Sequence, residues 1–83
     1  MAHKINLDKH IWEGWRVRDF IEELEPDVER VTSTAKEFYT NGGYAFKNKA
    51  EMKKWIVDNQ PYYKKYIPDV FWYFYDKYGV AEK

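Results

Sequence analysis

The stretch QPYYKKYIPDVFWYFYDKYG, residues 60–79, places nine aromatic side chains in twenty positions. Within it, Pro68 suits the first turn of a helix, because a nitrogen at that position needs no hydrogen-bond partner within the helix. Gly79 suits the end of a helix, because glycine adopts a left-handed conformation at little cost. We therefore predict a terminal helix over residues 68–78, with the rest of the fold packed around it.

One face of this helix accounts for only part of its aromatic surface. The residues that share a helical stripe are Val70, Phe71, Phe74 and Tyr78. A helix in a small bundle buries a face only about 100° wide. Trp72, Tyr73 and Tyr75 fall outside that face. We therefore expect these three rings to meet a second neighbour or to remain on the surface.

Two further helices are predicted upstream of the terminal one. The spacing of Tyr and Ile side chains fits a short helix over residues 62–67. Asn48, followed three residues later by Glu51, resembles a capping box and predicts a helix over residues 49–59. The buried stripe of that helix is expected to be Met52, Trp55 and Ile56.

The clearest helical periodicity lies nearer the N terminus. One apolar stripe at helical spacing consists of Val17, Phe20, Ile21, Leu24, Val28 and Val31. Pro26 cannot donate a backbone hydrogen bond, so we expect a kink or a new helix start there. Trp15 precedes the stripe and is expected to pack onto it.

Residues 32–47 lack the apolar helical spacing of the segments on either side. Asn41-Gly42 lies between two aromatic-rich arms, which predicts a type I′ hairpin over residues 36–46. A lone hairpin is marginal in water and would have to lean on the helices. The alternative is an irregular loop that docks Phe46 in the core.

The N-terminal residues give weaker signals. Residues 6–14 are expected to hold a short turn of helix closed by Gly14, and residues 1–10 are expected to be flexible. The chain of 83 residues is interpreted as a single domain, residues 1–83. Its predicted fold class is mainly all-α, with about four short helices in a SAM-like, orthogonal bundle. A small β-hairpin or loop is expected between the second and third helices.

Charge and composition indicate where the protein is located and which partners it is expected to have. The chain has 14 basic and 14 acidic residues, a net charge of 0. Residues 1–44 hold six basic and nine acidic groups (−3), and residues 45–83 hold eight and five (+3). There is no cysteine, no apolar leader segment and no apolar run of membrane-spanning length. We expect a cytoplasmic protein with no membrane partner.

No pattern of catalytic or metal-binding residues stands out. The two histidines, His3 and His10, lie near the N terminus, without an orienting partner beyond Asp8. Glu22, Glu25 and Glu29 lie along one side of the first helix, where Arg18 pairs with Glu22 at helical spacing; this is interpreted as a solvated face. We therefore predict no enzymatic activity, no metal site and no cofactor.

Three segments together resemble a known family. They are VRDFIEEL (17–24), YAFKNKAEMKKWI (44–56) and the spacing Phe71-x-x-x-Tyr75-x-x-Tyr78. This layout resembles the small bacterial YozE-type domains, which have a SAM-like helical fold. The sequence departs from them at Tyr75, where Trp is usual, and at Lys47, where Pro is common. The resemblance implies a helical architecture and no particular activity.

Two binding hypotheses use the aromatic residues. Tyr and Trp are enriched at protein interfaces, so the first hypothesis is a protein partner or a homodimer. Its candidate interface residues are Trp72, Tyr73 and Tyr75, with the hairpin rings Tyr39 and Tyr44. The alternative is weak nucleic-acid binding by a platform of lysines and rings. Its candidate residues are Lys53, Lys54, Tyr62, Lys64 and Lys65. The balanced net charge favours the first hypothesis.

Overall fold

The structure is a computed structural model that describes residues 3–82. The elements are β1 (His10–Trp12), β2 (Trp15–Arg16), α1 (Val17–Phe38), a 3-10 turn (Thr40–Gly43), α2 (Lys49–Asn59) and α3 (Pro68–Tyr78). The mainly helical class is confirmed, but residues 3–82 contain three α-helices, not four. The small hairpin precedes the first helix rather than following the second.

The hairpin formed by β1 and β2 turns at Glu13 and Gly14. The strands are antiparallel, with Trp12 opposite Trp15. Both turn residues have positive φ, 40° at Glu13 and 85° at Gly14, as a two-residue type I′ turn requires. The predicted helical turn over residues 6–14 is therefore wrong, because Gly14 closes a strand turn rather than a helix.

Helix α1 begins where the sequence predicts and ends later. The Asp19 carboxylate accepts a hydrogen bond from the Arg16 amide at 2.7 Å, which satisfies a free donor at the helix start. The helix continues through Pro26 without interruption for 22 residues, so no new helix starts at Pro26. Thr34 is accommodated because its hydroxyl donates to the Arg30 carbonyl at 3.1 Å.

The predicted hairpin over residues 36–46 is wrong. Residues up to Phe38 form the last turn of α1, so no incoming strand is available to pair. Asn41 and Gly42 do adopt the left-handed angles of a tight turn, with φ of 49° and 70°. The local turn signal was therefore correct, but the turn joins a helix to a loop. The stated alternative is confirmed at Phe46, which is buried.

Helices α2 and α3 have the predicted bounds. The Asn48 side chain accepts a hydrogen bond from the Glu51 amide at 3.0 Å, and α2 begins at the next residue. Helix α3 begins at Pro68 and is followed by Gly79 with φ of 74°. The predicted short helix over residues 62–67 is wrong, since these residues form an irregular connector.

The core lies between α1 and α3, with α2 packed against α3. Its largest fully buried side chains include Phe20, Leu24, Met52, Ile56 and Phe74. Burying each such side chain contributes about 1.5–3 kcal/mol. At the C terminus, the Ala81 amide donates to the Phe46 carbonyl at 3.0 Å and so fixes the loop that carries Phe46.

The N-terminal segment, expected to be flexible, contacts α3 where the structure describes it. The Asn6 amide donates to the Asp69 carboxylate at 3.0 Å. The His3 ring reaches Asp76, with 3.0 Å between Nδ1 and Oδ1. Met1 and Ala2, which belong to the same expected flexible segment, lie outside the described residues. Between residues 3 and 82, no helix is long and apolar enough to cross a bilayer.

Candidate interaction surfaces

The three α3 rings proposed as an interface are half-buried inside the molecule. The His3 ring stacks on Trp72 with the centroids 3.8 Å apart and the planes 12° apart. Tyr75 stacks on Phe71 at 5.9 Å, and Tyr73 packs against the core. The N-terminal segment and α1 thus supply the second neighbours that a single helix stripe requires.

A lysine completes the cluster around Trp72. The Lys49 ammonium lies 5.8 Å from the Trp72 ring and 5.2 Å from the Tyr75 ring, within cation–π range. Asp76 faces His3 on the same surface. Trp72 and Tyr75 are therefore engaged within the chain and leave only part of their area for another molecule.

Two of the three most exposed rings among residues 3–82, Tyr39 and Phe38, lie at the far end of α1. Phe38 is 67% exposed, Tyr39 is 83% exposed and Tyr44 is 37% exposed. We call these three residues the aromatic tip. The last residue of α1 buried in the chain is Ala35, so the helix extends past the elements that cover it. Of the predicted interface residues, Tyr39 and Tyr44 are thus the ones with most free surface.

The backbone at the tip is strained. Tyr39 caps α1 in the left-handed conformation, with φ of 55° and ψ of 29°. Glycine or asparagine usually holds this position, because a Cβ atom clashes there with the backbone. Tyr44 lies between two surface clefts, one lined by Thr32, Lys36 and Gly43 and the other by Tyr75, Asp76 and Gly79.

A polar cluster joins α1 to α3 behind the tip. The Glu25 carboxylate accepts hydrogen bonds from the Lys77 ammonium at 2.5 Å and from the Tyr78 hydroxyl at 3.1 Å. The Tyr73 hydroxyl lies 3.4 Å from the same carboxylate. Burial, and then the hydrogen bond to Glu25, raise the pKa of Tyr78 to about 12. The hydrogen bond to Glu25 also raises the pKa of Lys77.

Two predictions about the acidic side of α1 are wrong. Glu25 does not lie on a solvated face with Glu22 and Glu29, because it points to α3. Arg18 pairs with Asp8 at 2.7 Å rather than with Glu22. Charge spacing along one helix could not reveal either contact, since both partners come from other segments.

Most of the lysines and rings proposed for nucleic acid lie on or beside the connector, residues 60–67. A cleft beside it is lined by Lys9, His10, Tyr63 and Tyr66, among others. The Lys53 ammonium lies 4.4 Å from the Tyr66 ring, and the Lys65 ammonium lies 5.9 Å from the Tyr63 ring. Lys9 and His10 were missed by sequence reasoning, because the N-terminal segment was expected to be flexible.

Two of the other candidates differ in their contacts. Lys54 forms an ion pair with Asp58 at 2.8 Å and is therefore already neutralised. Tyr62 is 74% exposed and stacks one face on Trp12 at 5.9 Å. Its φ of 60° is left-handed, like that of Tyr39.

A buried glutamine fixes the connector. Gln60 is 1% exposed, and its amide nitrogen donates to the carbonyls of Tyr63 at 2.6 Å and Lys65 at 2.8 Å. Both partners are acceptors, so the orientation of the amide is determined. Gln60 therefore holds the backbone that displays Tyr63 and Lys65. Polar residues of this kind have no sequence pattern that marks them as buried.

The described part of the chain was compared with the arrangement that a metal site requires. Residues 3–82 contain no group of three or more His, Asp or Glu side chains placed to hold a metal ion. His10 accepts a hydrogen bond from the Gly14 amide at 3.0 Å, which occupies its Nε2 within the hairpin.

Comparisons of this chain with models of protein families, with curated proteins and with solved structures found no match. The resemblance to YozE-type domains stays a prediction. The candidate surfaces are therefore interpreted from their own geometry and charge.

Proposed function

We propose that this chain is a non-enzymatic protein-interaction domain that self-associates through the aromatic tip. The observation that carries the proposal is the exposure of Phe38 and Tyr39, two adjacent large rings at the end of a helix. Aromatic residues of this kind anchor protein interfaces, because they bring large apolar area at a low cost in side-chain entropy.

The backbone of Tyr39 supports a contact outside the chain. A left-handed conformation costs a non-glycine residue about 1–2 kcal/mol. Because the ring is 83% exposed, packing within the chain returns little of that energy. The ring is therefore left on the surface of the molecule, where a partner can bury it.

A second copy of the chain fits the tip. Lys36 and Glu37 in the last turn of α1, and Glu29 about two turns earlier, form no ion pair within the described range, residues 3–82. If two α1 ends pack antiparallel about a twofold axis, Lys36 of each copy can meet an acidic side chain of the other. Twofold dimers are the commonest soluble oligomers, and such a surface is self-complementary.

The tip is small, so the dimer is expected to be weak. From usual ring areas, its three rings expose roughly 400 Å² per copy. Two copies would bury roughly 800 Å², which is at the low end for a transient complex. We expect a reversible monomer–dimer equilibrium that shifts with concentration.

Sedimentation equilibrium from micromolar to millimolar concentration tests this proposal. The mass of the native chain should rise from one chain towards two. The double variant Phe38→Ala, Tyr39→Gly should remain monomeric. Tyr62→Ala is the matched control, because it removes another exposed ring away from the tip. A native chain that stays monomeric at millimolar concentration, or a double variant that dimerises equally well, would refute the proposal.

A further inference from the structure

The connector and its neighbours form a second surface, independent of the tip. We propose that it binds single-stranded nucleic acid. We call it the Lys–Tyr face, and it comprises Lys9, Lys53, Tyr62, Tyr63, Lys64, Lys65 and Tyr66. The juxtaposition comes from three segments, because Lys9 precedes β1 and Lys53 lies on α2, while the other residues belong to the connector.

The positive charge of the face comes from four lysines. Lys9, Lys53, Lys64 and Lys65 form no ion pair within the part of the chain that the structure describes. The nearby carboxylate of Asp58 is held by Lys54. Although the whole chain has zero net charge, this face groups four lysines without ion pairs, which can neutralise phosphates.

The face also carries two exposed rings, and the Lys53 ammonium lies 4.4 Å from one of them, Tyr66. Tyr62 is 74% exposed and Tyr66 is 40% exposed. Trp12 stacks on Tyr62 with the ring centroids 5.9 Å apart, and Trp15 contacts the same ring at 5.5 Å with a tilt of 59°, so the hairpin supports one side of the ring. A base stacked on the other face would complete a three-layer stack. Base–aromatic stacking contributes about 1–3 kcal/mol per base.

The connector is held in place before any ligand arrives. The two hydrogen bonds from Gln60 fix the backbone at Tyr63 and Lys65. The Lys64 ammonium donates to the Asp58 carbonyl at 3.2 Å, which ties the connector to the end of α2. A preorganised surface loses less conformational entropy on binding.

The same features favour a single strand over a duplex or an acidic protein. A duplex hides its base faces in the helical stack, so the rings would have nothing to stack on. An acidic peptide offers charge but no flat rings. A single strand offers both phosphates and accessible base faces.

Fluorescence anisotropy with a labelled thymidine 12-mer tests the proposal. Four lysine–phosphate contacts predict a slope of about −3 for log K against log salt concentration. The double variant Lys64→Ala, Lys65→Ala should bind more weakly at low salt, with a slope of about −1.4. The matched control is Arg30→Ala, Lys47→Ala, which removes two positive charges that belong to neither proposed surface and should leave the slope unchanged.

A second pair of variants tests the stacking. Tyr62→Leu should weaken binding by about 5- to 150-fold, the equivalent of one stacked base. Tyr62→Phe keeps the ring and should bind as the native chain does. Circular dichroism confirms that each variant is folded.

Four results would overturn the proposal. The first is no binding at low salt, and the second is an equal loss in the Arg30, Lys47 control. The third is equal affinity for the matching duplex. The fourth is competition by poly-glutamate of the same charge that is as strong as competition by the unlabelled 12-mer. The last result would reveal a surface that recognises charge alone.

Discussion

At Tyr39, a single residue combines a strained backbone with an exposed ring. Replacing it with glycine relieves about 1–2 kcal/mol of left-handed strain and adds up to about 1 kcal/mol of chain entropy to the unfolded state. We expect Tyr39→Gly to raise the free energy of unfolding by about 0.5–1 kcal/mol. Urea denaturation at a concentration where the chain is monomeric measures this change.

The same substitution should weaken self-association. A gain in stability together with a loss of dimer would show that the ring serves a contact between molecules. If Tyr39→Gly lowers the stability of the monomer, the ring packs within the chain, and the argument from strain is wrong.

Gln60, unlike Tyr39, is buried, and it stabilises the fold through hydrogen bonds within the chain. Gln60→Ala leaves the carbonyls of Tyr63 and Lys65 without their donor and opens a cavity. We expect it to lower the free energy of unfolding by about 2–3 kcal/mol. Its neighbour Asn59 is exposed, so Asn59→Ala should change stability by less than about 1 kcal/mol. Equal small effects in urea denaturation would show that Gln60 does not fix the connector.

Between elements, the Glu25 cluster joins α1 to α3 and makes that contact sensitive to alkali. The folded pKa of Tyr78, about 12, lies above the ordinary tyrosine value of about 10. The neutral hydroxyl is thus favoured in the fold. Its stabilising effect is complete below about pH 10 and is lost as the pH rises from about 10 through 12.

We predict how Tyr78→Phe changes this pH dependence. At pH 8 the variant should be about 1 kcal/mol less stable than the native chain, because one hydrogen bond is missing. The difference should shrink as the pH rises above 10, because Tyr78 of the unfolded chain ionises there while the folded residue stays neutral up to about pH 12. Urea denaturation at several pH values measures it, and absorbance of tyrosinate should lose its latest-titrating component. A constant difference across this range would contradict the assigned role.

The sequence predicts the bounds of two of the three helices. The bounds of α2 and α3 follow from Asn48, Pro68 and Gly79, because capping and stop signals act locally. The length of α1 could not be predicted in the same way, because the Thr and Ser residues after Val31 disfavour a helix. The hydrogen bond from the Thr34 hydroxyl to the Arg30 carbonyl, which occurs within the helix, is visible only in the structure. The connector was predicted as a helix because its apolar spacing is helical, whereas Gln60 fixes an irregular path through contacts that no local pattern reveals.

For the whole molecule, exposure depends on which segments meet. Trp72, Tyr73 and Tyr75 fall outside the main stripe of α3. Two of them are contacted by distant parts of the chain, because His3 stacks on Trp72 and Glu25 lies beside the Tyr73 hydroxyl. The exposed tip lies beyond Ala35, the last buried residue of the 22-residue helix α1. Neither relation is visible in a window of sequence, so the aromatic candidates could be identified but not ranked.

The two proposed surfaces lie at opposite ends of α1, and this separation yields a last prediction. The Lys–Tyr face is tied to the N-terminal end, because the Val17 amide donates to the Lys9 carbonyl at 3.0 Å. The aromatic tip begins at Phe38, which lies about 32 Å from Val17 along the helix at 1.5 Å per residue. Effects at sites this far apart add within about 0.5 kcal/mol, or roughly twofold in affinity.

We therefore expect Phe38→Ala, Tyr39→Gly to abolish dimerisation while its affinity for the 12-mer, per chain, stays within about twofold of the native value. The variant Lys64→Ala, Lys65→Ala should show the converse. Anisotropy and sedimentation on both variants complete the test. A tip variant that loses oligonucleotide binding as well would show that the strand is held between two copies. The dimer, rather than the single chain, would then be the binding unit.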